Sequence, residues 1–170
     1  MIIVENITRT YQAKIEFDQY VPLNIEFGEK NTMEDSLMYW RTGSLTDTLM
    51  EVGIGRKSKR IYSITLVLCH HRNVVPKKHV KKKGSYSVTE GCLTFVNNSG
   101  DVMYVDEKRE LTVYLGDNTI DIFWEDNEIV HCVKNENIYF FIDSNMRWIG
   151  LRIENIYKGE MSTFCKSLSM

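Results

Sequence analysis

Apolar and polar positions alternate at period two over most of the chain, the signature of half-buried β-strands. In residues 20–27, Leu23, Ile25 and Phe27 share one face, Gly28 ends the run, and Pro22 predicts an edge strand. Residues 48–54 and 60–69 flank a turn over 55–59 and predict a hairpin, its second arm long enough to be a central strand. Beyond residue 96, Asn, Asp and Gly recur at 97–100, 116–118, 126–127 and 135–137. Between and after these turns lie predicted strands at 110–115, 119–124, 128–134, 138–143 and 148–156. Helical signal is thin: a short helix is predicted over 33–42 and another turn or so over 158–167. The pattern predicts one domain over 1–170, mostly β (α+β), an antiparallel meander or small β-sandwich with one or two short helices.

Composition agrees. Ala13 is the only alanine, whereas isoleucine occurs 16 times and aromatic residues 19 times, a bias that suits pleated surfaces over helices. The longest apolar stretches, such as 61–69, fall far short of the roughly 20 residues that span a bilayer. The opening MIIVENITRTYQ has no basic region and no extended apolar core, so a signal peptide is not expected. Cys69, Cys92, Cys132 and Cys165 show no CxxC spacing. The expectation is a cytoplasmic protein with reduced thiols and no membrane partner.

Charge changes the picture more. The net charge is −2, yet residues 52–89 hold ten cations and no acid, leaving 11 cations against 23 anions elsewhere. Residues 73–84 are polar and lysine-rich, an expected exposed loop. With Arg72, Lys77, Lys78, Lys81, Lys82 and Lys83, the stretch 72–83 could contact phosphates. Only Tyr62 and Tyr86 flank it as stacking platforms, and the acidic remainder would repel a polyanion, so nucleic acid is the weaker reading.

Candidate chemistry is sparse. Cys69, His70, His71, His131 and Cys132 have the right donors for zinc, but neighbours within a strand face opposite ways, and no zinc spacing is present. No metal or other cofactor is expected. There is no GxSxG elbow and no phosphate-binding glycine loop, since Gly53 and Gly55 sit in the hairpin. No enzyme activity is predicted. A protein-binding reading rests on residues 119–126: alternation puts Ile120, Ile122 and Trp124 on one face and Asp121, Phe123 and Glu125 on the other. If the first set is core, the second is an exposed acidic patch around an aromatic anchor, extended by Asp126, Glu128 and Asp117.

Two stretches carry a resemblance. Leu49-Met-Glu-Val-Gly-Ile54 with Ile61-Tyr-Ser-Ile-Thr-Leu-Val67 resembles the L-x-E-I-G-I … S-I-T-L-V hairpin of small bacterial immunity proteins. Ile138-Tyr-Phe-Phe-Ile-Asp143 with Trp148-Ile-Gly-Leu-Arg-Ile-Glu-Asn-Ile156 is similar to the closing strand pair of the same group. Such proteins accompany polymorphic or contact-dependent growth-inhibition toxins. The turn over 55–59 departs from the pattern, lacking the glycine before the second strand, as does the lysine-rich insertion near residue 80. The resemblance implies a cytoplasmic inhibitor that binds the C-terminal domain of one cognate toxin, often a nuclease, and carries no catalytic or metal residues. The expected partner-binding residues are Asp121, Phe123, Glu125, Asp126 and Glu128; the alternative is a nucleic-acid-binding regulator using loop 72–83.

Overall fold

A computed structural model describes residues 2–29, 33–76, 85–96 and 100–168. Most of the predicted lysine-rich loop, 77–84, and most of the turn at 97–100 lie outside the described residues. The rest is mostly β, in three sheets.

The first sheet holds six strands: β2 (Ala13–Glu16), β3 (Leu23–Phe27), β4 (Leu37–Gly43), β5 (Thr48–Gly55), β6 (Ile61–Cys69) and β10 (Tyr104–Lys108). Their order is β10-β4-β5-β6-β3-β2, antiparallel except where β10 runs parallel to β4. The second holds seven: β7 (Val74–Pro76), β8 (Ser87–Glu90), β11 (Thr112–Leu115), β12 (Ile120–Phe123), β13 (His131–Asn135), β14 (Ile138–Ile142) and β15 (Trp148–Ile153). Their order is β7-β11-β12-β15-β14-β13-β8, with parallel pairs only at the two edges. A short pair, β1 (Val4–Thr8) with β9 (Cys92–Phe95), forms the third sheet.

Each large sheet has one face that is apolar at every second residue, and the two faces pack together as a sandwich. Leu23, Ile25, Phe27, Met50, Val52, Ile64 and Leu66 from one sheet, and Ile120, Ile122, Ile138, Phe140, Leu151 and Ile153 from the other, lose all contact with water. Aromatic rings bridge the layers: Phe27 meets Phe140 at 5.9 Å, and Trp40 meets Trp124 at 5.7 Å and Trp148 at 6.3 Å. Two indole N–H groups keep partners in this core, Trp124 donating to the Trp148 carbonyl and Trp148 to that of Gly150. The helix α1 (Lys158–Ser167) buries Phe164 edge-on against Phe17, 6.0 Å away. At its start the Tyr157 N–H donates to Glu160 Oε2 at 2.9 Å, satisfying one amide that the helix cannot.

The mostly-β expectation holds, as does the helix at 158–167. The helix expected over 33–42 is instead β4. Its Met38, Trp40 and Thr42 point into the core at period two, and six residues pair with β5; that pairing outweighs the weak helical propensity of the segment. Pro22 does not mark an edge either. β3 begins after it at Leu23 and is covered on its outer side by β2, a strand the pattern did not reveal. The strand expected over 128–134 begins only at His131, because 125–130 form the link from β12.

Candidate protein-binding face

The outer face of the seven-stranded sheet carries a second, smaller hydrophobic cluster: Phe123, Ile129, Cys132, Phe141 and Ile149, with Tyr86, Tyr114 and Tyr139 half-buried around it. Such a face on a sandwich is expected to be polar. This one is an aromatic platform.

Strand register explains it. On β12, Ile120 and Ile122 turn to the core, so Asp121 and Phe123 turn outward, as the alternation predicts. Directly across on β15, Asp121 faces Arg152 and Phe123 faces Gly150; on β14, Tyr139 faces Arg152 and Phe141 faces Gly150. Gly150 leaves a gap in which the two phenyl rings stack, 5.4 Å apart and 8° from parallel. A Cβ at that position would lie 2.3 Å from Phe123 Cδ1. Tyr114 and Tyr86 set their rings edge-on to Phe123 and Phe141 at 6.2 and 5.9 Å.

The Arg152 fork donates to both Asp121 oxygens, Nε to Oδ1 at 2.7 Å and Nη2 to Oδ2 at 3.0 Å. It also lies over Phe141 at 5.5 Å and within 3.8 Å of Glu154. The hydrogen bond to Asp121 holds the guanidinium pKa above its ordinary value, against the burial that lowers it. Burial pushes the Tyr86 hydroxyl up, and the Cys132 thiol up to about 11, so neither ionises near neutrality.

The exposed acidic patch expected from the sequence is therefore corrected. Asp121 is fully buried and Phe123 is 6% exposed, because an arginine, a glycine gap and the tyrosines close over them. Glu125 is half-buried, with Oε1 2.9 Å from Arg109 Nη1, an ion pair not aligned as a hydrogen bond. Asp126 and Glu128 are exposed on the link after β12. The residues not anticipated are Tyr86, Tyr114, Tyr139 and Arg152. For Tyr114 and Tyr139 the signal was present: each sits between inward neighbours, Val113 and Leu115 or Ile138 and Phe140, on the same alternation that was applied to β12.

The other candidates do not assemble. Cys69 belongs to the main core while Cys132 belongs to the outer cluster, and burial alone pushes the Cys69 thiol up to about 12. The His70 and His71 rings lie 4.5 Å apart, tilted by 35°, and the Nδ1 of exposed His131 lies 3.2 Å from Ser87 Oγ. Among the described residues there is no group of three or more potential metal ligands, and no helix is long and apolar enough to cross a membrane.

Four cations of the basic segment are committed within the fold. Arg56 donates to the carbonyls of Gly100, Asp101 and Val102, Lys59 pairs with Glu5 at 2.9 Å, and Arg72 pairs with Asp47. Arg60 is buried between Tyr11 and Tyr62, 4.2 and 3.8 Å from their centroids, and donates to the carbonyls of Phe27 and Glu29. Lys77 to Lys83, the heart of the alternative phosphate-binding loop, lie outside the described residues. In comparisons with known proteins, no family model matches the chain and no curated protein is similar to it.

Proposed function

We propose that this is a bacterial immunity protein, acting in the cytoplasm, that neutralises a cognate toxin domain by tight protein–protein binding and does no chemistry of its own. The observation that carries the reading is the aromatic platform on the outer face of the seven-stranded sheet. Two half-buried tyrosines, Tyr86 and Tyr114, stand edge-on to stacked phenyl rings, and Tyr139 packs against the same cluster, beside an arginine held rigid by Asp121. Tyrosine and arginine are the residues on which binding energy concentrates, because they offer large contact area at low entropic cost. A stiff sheet presents them without further ordering.

Of the five residues expected at the interface, Asp121 and Phe123 become supports beneath the platform, while Glu125, Asp126 and Glu128 form an acidic flank. An acidic inhibitor suits a nuclease toxin, whose basic cleft evolved to hold phosphates. The excess of acids outside residues 52–89 supports that choice of partner. On this reading a toxin domain is expected to be encoded immediately upstream, and co-producing the protein with that domain tests it. Y114A/Y139A is expected to lose protection while remaining folded, its unfolding free energy from urea denaturation lowered by about 1–3 kcal/mol for the two truncated half-buried rings. D126K/E128K is expected to slow association and protect less well at limiting expression. If both variants protect as wild type does, this face is not the interface.

A further inference from the structure

The six-stranded sheet has its own feature on the side away from the aromatic platform. At its β2 edge lies a groove of about 480 Å³ lined by Glu16, Phe17, Asp18, Val21, Asn24 and Thr65. Asn24 and Thr65 belong to the outer face, since their neighbours Leu23, Ile25, Ile64 and Leu66 are fully buried. Phe17 and Val21 give half-buried apolar walls, and Phe17 is braced from behind by Phe164. Thr65 Oγ1 donates to Asn24 Oδ1 at 2.9 Å, which orients the amide so that its NH2 serves Glu16. Two carboxylates complete the lining. Lys14 and then Asn24 hold the Glu16 carboxyl below its ordinary range. Asp18 accepts the Tyr20 N–H at 2.8 Å and has no ion-pair partner among the described residues.

We propose that this groove binds a lysine or arginine side chain presented by a partner protein, with the aliphatic stem on Phe17 and Val21 and the cationic head between Asp18 and Glu16. The fold already holds a cation at one end: Lys14 Nζ sits 2.8 Å from Glu16 Oε1 while its side chain stays 67% exposed. Such a solvated pair is weakly held and easily displaced. An incoming head meets Glu16 and also Asp18, and it exchanges an exposed stem for one lying on apolar walls. Arginine suits the site better than lysine, because its planar fork spans two acceptors and is less strongly hydrated. This site is separate from the proposed docking face, and its test does not depend on that face.

The test is a titration of the full-length 15N-labelled protein with N-acetylarginine methylamide, using N-acetylcitrulline methylamide as the neutral isostere. Saturable shifts are expected at the amides of Phe17, Asp18 and Val21 and at the Asn24 side chain, weakening as salt is raised. In E16Q/D18N, loss of the two exposed charge contacts is expected to weaken binding by about three- to tenfold. Both positions are exposed, and an otherwise superimposable spectrum of the variant confirms its fold. The proposal is overturned if citrulline binds equally well, if E16Q/D18N binds unchanged, or if shifts are absent or scattered without saturation over the surface.

Discussion

At Asp121 an outward-facing carboxylate meets Arg152 across the strand pair, and a two-pronged ion pair replaces the water that an isolated acid would keep. Removing one partner leaves the other charge with too little solvent. D121N is therefore expected to lower stability by about 2–4 kcal/mol, the lower end reflecting Arg152's partial access to water. The double variant D121L/R152M should recover most of that loss, and urea denaturation of all three chains checks it. Asp35 makes a second residue-scale case. Burial raises its pKa, but Ser58 Oγ, the Lys57 and Ser58 amides and the Tyr62 hydroxyl outweigh that and hold the carboxyl below its ordinary value. A depressed folded pKa stabilises the protein above the unfolded value, near pH 4, and the contribution is lost as pH falls through the folded one. Wild type should thus lose more stability than D35N between pH 5 and pH 2, measured by urea midpoints. The sequence showed which face Asp121 occupies but not what it touches. Period-two alternation is local, whereas the β12–β15 pairing joins residues 31 positions apart.

Elements divide the same way. The 48–69 hairpin and the strands from 110 onward were legible because each carries its own signal, alternation or turn residues; the closing helix, whose local signal is thin, was expected only as another turn or so. β2, β8 and β10 were not. Each is a short edge strand whose shape comes from its neighbour; β8 and β10 pair in parallel with strands far off in sequence, and all four residues of β8 are exposed. β4 misled for the opposite reason, since its partner β5 overrides the local propensity. Gly150 is where element geometry serves the proposed site. Its missing side chain admits the Phe123–Phe141 stack, and a Cβ there also meets the Ile122 carbonyl at 2.8 Å. G150A is expected to cost about 1–3 kcal/mol by overpacking. It should also disturb near-ultraviolet circular dichroism more than it disturbs the far-ultraviolet β signal.

On the scale of the whole molecule, the sandwich turns two unlike faces to its surroundings. The six-stranded sheet presents charged and polar rows, including the Arg41–Asp106 fork beside the stacked Tyr39 and Tyr104. The seven-stranded sheet presents aromatic rings on a sealed foundation. The first is what solubility requires of a sheet face. The second exceeds what folding of the core requires, and the docking proposal rests on it. Hydroxyl-radical footprinting of the purified pair with its toxin domain tests this most directly, since tyrosine oxidation reports ring access. Tyr20 and Tyr157, 81% and 78% exposed, serve as internal controls. The account predicts that Tyr86, Tyr114 and Tyr139 become protected in the complex while the two controls react as in the free protein. Protection confined to the controls, or to Tyr39 and Tyr104 on the opposite sheet, contradicts it.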